Sequence, residues 1–432
     1  MSTMTATAPA VPATPAAHHV AVPISWKAPV AYTVLAVGGL LGFGLSAEAG
    51  ETSLISIATG APGLGSPSFE LPTLASVIVL GLIQLALAGW AWRRASQRAK
   101  AGIWLPAVFG VALVISFLLW AVAGRGYAIQ FTSLLSGALF LSVPLVFGAL
   151  AGCVCEHVGV INVAIEGQLL AGAFLAAVVG SATGNPWLGL ICAPLAGALV
   201  GALLALFAVR YWVDHIIVGI VLNVLVTGLT SYLFSTVLSN NTAVFSNPTQ
   251  LPRWPIPLLS QIPVLGPVLF DQNVLVYLMY IAVAAFHVML FKSRWGLRMR
   301  ACGEHPKAAD TVGIKVNATR IRNTILGGAV AGLGGAYFTV AAGLAFGKEM
   351  SAGRGFIALA AMILGGWKPK GAILAALLFG FADNLQNALG VVGVAIPSQF
   401  MLMAPYLVTV FAVAGLVGRV RAPAAEGVAY KG

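Results

Sequence analysis

The side chains able to do chemistry in this chain are few, and they fall into three groups. A polar island runs from Lys292 to Arg322 within a sequence that is otherwise mostly apolar. It contains Gly303-Glu304-His305-Pro306-Lys307-Ala308-Ala309-Asp310-Thr311-Val312-Gly313-Ile314. The other two groups lie inside apolar runs: Asn162 with Glu166, and Asp383 with Asn384, Gln386 and Asn387. Residues four apart share one helix face, which pairs Asn162 with Glu166 and Asp383 with Asn387. An ionisable group inside such a run is either functional or a buried contact that fixes helix packing. Tyr337, Phe346 and Phe356 offer flat surfaces for a planar ligand, or they fill a core.

The surrounding sequence limits what can position these groups. Of 432 residues, 59% are hydrophobic and only 8% are charged. Mean hydropathy is +0.95. Soluble domains carry about 25% charged residues, so a water-exposed surface could not cover this chain. Only helices and closed barrels pair every backbone group inside a bilayer. The apolar runs do not alternate and are about 20 residues long, which selects helices. The expectation is an all-α polytopic membrane protein with about 11–12 transmembrane helices. Spans fall near 29–49, 74–92, 102–123, 131–154, 160–181, 187–208, 214–238, 273–291, 321–345, 353–367, 371–391 and 398–418. The tenth is short and Gly-rich, so a broken or re-entrant helix is expected near 343–366. Pro186-Trp187-Leu188-Gly189 and Pro369-Lys370-Gly371 open spans of opposite direction, as an inverted repeat would produce.

Charge then orients the spans. With the N-terminus inside, 19 Lys/Arg fall on cytoplasmic segments. Only Arg125, Arg253, Lys348 and Arg354 fall outside. By the positive-inside rule both termini are cytoplasmic. The net charge of +11 is therefore a topology signal. No clustered soluble basic face exists for nucleic acid. The four cysteines read as reduced and structural, because Cys153 and Cys155 form C-x-C with no second pair. Residues 1–26 are rich in Ala, Pro and Thr and read as a disordered tail. No H-E-x-x-H or G-x-S-x-G occurs, and no His/Ser/Asp constellation suggests an intramembrane enzyme.

The polar island cannot enter the bilayer, since each charge at its centre costs several kcal/mol. Pro306 suits the first turn of a helix and Gly313 the position just past its end. The spacing predicts a helix of about two turns, held at the surface by spans on both sides. Ala308 and Ala309 are small enough to admit a partner closely. Lys307-Ala308-Ala309-x-x-x-Gly313 resembles the E-A-A-x-x-x-G coupling loop of ABC importer permeases, with Lys in place of Glu. Glu156-His157-Val158-Gly159-Val160-Ile161-Asn162-Val163-Ala164-Ile165-Glu166-Gly167 resembles the E-R-x-G-V-x-N-I-x-I-E-G signature of simple-sugar and nucleoside permeases. His157 departs from the usual Arg. Gly353-Arg354-Gly355-Phe356-Ile357-Ala358-Leu359-Ala360-Ala361 resembles a segment of the nucleoside branch. The resemblance covers about Leu134 to Gly418.

The resemblance implies a permease core at 131–418 with a coupling loop at 292–320. Residues 27–130 would form an N-terminal extension with about three helices, and 419–432 a cytoplasmic tail. The chain would sit in a bacterial inner membrane. Its partners would be a second permease subunit, a cytoplasmic ATPase and an extracytoplasmic substrate-binding lipoprotein. Glu304, Pro306, Lys307, Ala308, Ala309, Gly313 and Ile314 would couple to the ATPase. Asn162, Glu166, Phe346, Phe356, Asp383, Asn384 and Gln386 would line the substrate path, moving a nucleoside by alternating access. Arg354 and Glu349 would pair at the outer mouth. The sequence has no G-x-x-x-x-G-K-[ST] phosphate loop, so no cofactor is expected here and ATP and Mg would belong to the ATPase. Two alternatives remain: a ribose- or galactose-type permease, and an ion-coupled transporter using Glu166 or Asp383.

Overall fold

A computed structural model of the chain describes residues 26–48, 50–56, 67–99, 102, 104–245, 247–392, 403 and 421–431. The expected span 398–418 and the leader 1–25 lie outside the described residues. Among the described residues, ten helices are long and apolar enough to cross a membrane. The protein is all-α apart from a few strands of three to five residues.

The chain divides into two compact units, Met1–Gly50 with Leu74–Trp120, and Glu51–Thr73 with Ala121–Gly432. The first unit holds α1 (Lys27–Ser46), α2 (Thr73–Ser96) and most of α3 (Trp104–Val122). Trp92 Nε1 donates to Thr33 Oγ1 at 2.9 Å, and Gln84 Nε2 donates to Ser116 Oγ at 3.4 Å. These bonds tie α1 to α2 and α2 to α3, where lipid tails give helices no hydrophobic reason to associate.

The second unit begins with a small sheet of β1 (Thr52–Ser56), β2 (Ser68–Pro72) and β3 (Ala128–Gln130), ordered β2-β1-β3. The helices follow: α4 (Phe131–Glu156), α5 (Ile165–Thr183), α6 (Pro186–Ala205), α7 (His215–Leu233) and the single turn α8 (Thr242–Phe245). A two-stranded ribbon, β4 (Arg253–Pro255) with β5 (Asp271–Asn273), leads into α9 (Val274–Lys292). Then come α10 (Arg294–Glu304), α11 (Pro306–Thr311), α12 (Val316–Gly335), α13 (Arg354–Leu364) and α14 (Pro369–Val392). The core is centred on α4, which is buried along most of its length.

Close packing replaces the hydrophobic effect here. Gly197 and Gly201 of α6 face Gly328 and Gly332 of α12 at four-residue spacing. A Cβ on Gly328 would collide with the Gly197 carbonyl oxygen. Two backbones can meet this closely only when both contact positions lack side chains.

Two chain segments within the expected spans are not helical. The expected fifth span begins at Ile165 rather than near residue 160, because His157–Ala164 forms a buried turn. The expected tenth span is a broken crossing. A turn-rich stretch, 342–353, leaves the end where Gly343 packs on Gln250, and α13 completes the passage to Trp367 beside Glu156. Irregular backbone is tolerated in a bilayer only when buried in protein or lining a cavity. Within 342–353, Phe346 at 2% exposure and Ser351 at 1% are buried in protein, while Gly343–Ala345, Lys348 and Glu349 are exposed.

Candidate functional site: coupling helix and helix break

The polar island folds into two short helices at the basic end of the second unit. Ser293 caps α10 by accepting from Gly296 N at 3.0 Å. The helix α11 starts at Pro306, whose missing N–H costs nothing in a first turn. It ends at Thr311, and Gly313 follows with φ +84. Gly313 N donates to Asp310 O at 2.8 Å, and Ile314 N to Ala309 O at 3.1 Å. Such a left-handed position after a helix favours glycine.

The two alanines face opposite ways. Ala308 is exposed, as are Lys307, Asp310 and Val312. Ala309 is buried against Cys302 and Val316, with Ile314 at the edge of that cluster. The expectation that both admit a partner is therefore corrected: Ala308 faces outward, while Ala309 pins α11 to the protein. Glu304 is exposed and accepts from Ala424 N at 3.3 Å. Beside α11, Arg298, Lys315, Arg322 and exposed Leu297 border a cavity of about 780 Å³.

The C-terminal segment 421–431, whose role no sequence pattern suggests, straps this island to the membrane core. Ala425 N donates to Gly303 O at 2.8 Å, and Gly427 N donates to Gly159 O at 3.1 Å. Buried Arg320 of α12 donates from Nη1 to Val428 O at 2.7 Å. Glu426 reaches Glu156, which also accepts from Trp367 Nε1. Burial pushes the Glu426 carboxyl above the ordinary carboxylate range, and its hydrogen bond with Glu156 opposes part of that rise. His157 donates from Nδ1 to Cys153 O at 2.7 Å, and burial lowers its basicity. The imidazole is thus a buried structural link where the related signature carries Arg.

At the buried turn, the predicted pair of Asn162 and Glu166 separates into two roles. Asn162 is fully buried and trades amide hydrogen bonds with Gln168 at 3.0 and 3.2 Å. Asn223 of α7 accepts from Gly167 N at 2.8 Å and donates to Val163 O at 2.9 Å. It supplies the cap that Ala164 cannot give to α5. Glu166 turns instead to the start of α13. Its Oε1 accepts from Ser351 Oγ at 2.6 Å and from Gly353 N at 2.8 Å, and its Oε2 accepts from Gly355 N at 2.6 Å. A carboxylate on a helix N-terminus satisfies orphan donors and meets the positive end of the helix dipole. Glu166 and Asn223 are thus committed to holding broken backbone, while Asn162 and Gln168 satisfy each other.

The remaining expected path residues gather elsewhere. Asn384 Nδ2 donates to Leu134 O at 2.7 Å, where Gly137 leaves room for the amide. Arg354 supplies the positive charge facing Asp383. Its guanidinium lies 5.5 Å from the Phe338 ring centre, and among the described residues it makes no ion pair with Glu349. That corrects the expected pairing, because α13 turns Arg354 toward α14 and away from the preceding turn. Tyr337 packs on Phe140 at 4.7 Å. Phe346 meets Phe174 edge-on at 5.1 Å and fills the core, so the geometry assigns it to packing. Phe356 is 49% exposed on α13, and Gln386 is half-buried. Among the described residues no group of three His, Cys, Asp or Glu side chains is placed to hold a metal.

Comparison with known proteins places the chain in a family. The chain is 40% identical over 307 residues to the nucleoside ABC transporter permease protein NupC of Lactococcus lactis, covering 69% of this chain and 96% of that protein. It is 38% identical over 301 residues to the guanosine ABC transporter permease protein NupQ of Bacillus subtilis, covering 68% and 94%. A putative glucose ABC transporter permease protein, TsgC13 of Haloferax volcanii, is 32% identical over 257 residues, covering 59% and 76%. No solved structure matches the chain. Residues 134–417 match the family described as branched-chain amino acid transport system / permease component, and the chain belongs to that family of membrane permeases.

Proposed function

We propose that the chain is the permease subunit of an ATP-driven ABC importer that takes up nucleosides by alternating access. The observation that carries the coupling half is α11. It presents Lys307, Ala308, Asp310 and Val312 outward, while Ala309 and the C-terminal strap anchor it to the membrane core. A soluble ATPase closing on that face would move α10, α11 and α12 together. ATP and Mg bind to the ATPase. A second permease subunit completes the pathway, and a binding lipoprotein delivers substrate from the opposite side. The basic end faces the cytoplasm of a bacterial inner membrane, as the distribution of Lys and Arg indicates.

The relatives' names favour nucleosides as cargo. The commitment of Glu166 to three donors leaves no free carboxylate there for ion coupling. The test is uptake of labelled adenosine, uridine and ribose in the native host, with and without this gene. Loss of nucleoside uptake alone is the expected result. Loss of ribose uptake alone would move the chain to sugar transport.

A further inference from the structure

We propose that a pocket at the end opposite α11 is a ribonucleoside entry subsite, with Asp271 accepting the ribose diol and Phe140 meeting the base. The inference deepens the nucleoside reading and rests on it. The pocket has a volume of about 390 Å³. That lies within the range of sites that enclose small ligands, roughly 300–1,000 Å³.

Its walls are prearranged. One side is α4, which contributes Ser133, Ser136 and Phe140 from a single face. The other is the β4–β5 ribbon with Gln250. Gln272 Nε2 donates to Ser136 Oγ at 2.9 Å and to Val268 O at 2.9 Å, joining the two walls. Gln250 Nε2 donates to Ala341 O at 3.0 Å, and Leu251 N donates to Val340 O at 2.8 Å. The ribbon side is thus fastened to the point where α12's last turn gives way to the broken crossing. An occupant would sit directly above the element that must move during transport.

The chemistry fits a nucleoside. Asp271 is half-buried, and its carboxylate makes no hydrogen bond among the described residues. A carboxylate is an acceptor only and can take both hydroxyls of a vicinal diol. Phe140 gives the base a flat apolar surface. Its ring packs on Tyr337, and neighbouring Gly137 is filled by the Asn384 amide. Asn384, a residue picked out by sequence, thus packs directly behind the pocket wall at Gly137.

The test compares initial uptake rates of uridine and 2′-deoxyuridine in the native host. One charge-assisted hydrogen bond corresponds to about a tenfold difference in half-saturating concentration, favouring uridine. Asp271→Asn should bring the two values together at unchanged membrane level. The binding protein is the same in both strains, so it cannot move this ratio. A second readout avoids dependence on that variant: Ser133→Cys should be labelled by a membrane-impermeant maleimide, and uridine should slow the labelling. An unchanged ratio, or labelling indifferent to uridine, overturns the subsite. If nucleoside uptake does not depend on the gene at all, the transport reading itself has failed.

Discussion

Removal of Glu166 is made costly by the structure. The two Glu166 oxygens hold Ser351 Oγ, Gly353 N and Gly355 N; the Ser351 and Gly355 bonds are buried and the Gly353 bond is partly buried. In Glu166→Ala, Ser351 can rotate its hydroxyl to another acceptor, but the two backbone donors cannot move without unwinding α13. An orphaned buried donor costs about 1–3 kcal/mol, and the partly buried Gly353 N less, giving roughly 2–4 kcal/mol for the pair. Glu166→Gln keeps an acceptor for Ser351 and Gly353, yet turns an NH₂ donor against Gly355 N–H. That single conflict, with loss of the charge at the helix start, costs about 2–4 kcal/mol. Gly355 has no room to shift, since a Cβ there would meet the Glu166 backbone. The assay is thermal unfolding of the detergent-solubilised protein, read alongside limited proteolysis between Ala342 and Gly353. Both variants should unfold earlier, and 342–353 should become the first cleavage site. A Glu166→Ala protein that unfolds like the wild type, but has lost uptake, would refute the structural role and restore the carboxylate to the transport path.

Other perturbations separate packing from coupling. Ala309→Asp places a charge against Cys302 and Val316 and should loosen α11, seen as faster proteolysis near residue 305. Gly328→Ala should cost about 1–3 kcal/mol through forced separation of α6 and α12. Gly390→Ala, with nothing near its Cβ position, should be neutral or stabilising in the same thermal assay. The strap should respond to pH. Because Glu426's carboxyl is held above its ordinary range, the docked state binds its proton more tightly than the free tail does. Docking is therefore strongest below the ordinary carboxylate range and weakens as pH rises through the raised value. Hydrogen exchange at Ala425 and Gly427, corrected for intrinsic rate, should show protection falling with pH, and Glu426→Gln should flatten that dependence. Protection that grows with pH would contradict the assignment.

What was legible in the sequence follows from how local each signal is. The turn of α11 is written in two residues seven positions apart, Pro306 and Gly313, and both occupy the predicted positions. The broken crossing is written in its short apolar run and its glycines. Glu166 stands out as a carboxylate in an apolar segment, but its partners lie 185 to 189 residues away, and no spacing rule reaches that far. Phe346 looks like a binding platform only until Phe174 and Phe234 are seen around it. The start of α5 shifted because apolarity continues through Val160–Ala164 although the backbone there turns. The strap had little signal: its hydrogen bonds to Gly303, Gly159 and Arg320 run through its backbone groups, about which composition says nothing, and the partner of Glu426 lies 270 residues away. The pocket at the far end joins three stretches of chain that are apart in sequence, and it becomes visible only in three dimensions.

The central claim is that a soluble ATPase drives this permease through the outward face of α11. Ala308→Asp tests it most directly, because Ala308 is exposed and touches none of the contacts that anchor the helix. Initial uptake of labelled uridine would be measured against wild type at matched membrane levels and matched thermal stability. The account predicts near-complete loss of uptake in a protein that is otherwise intact. Uptake at the wild-type rate would contradict it.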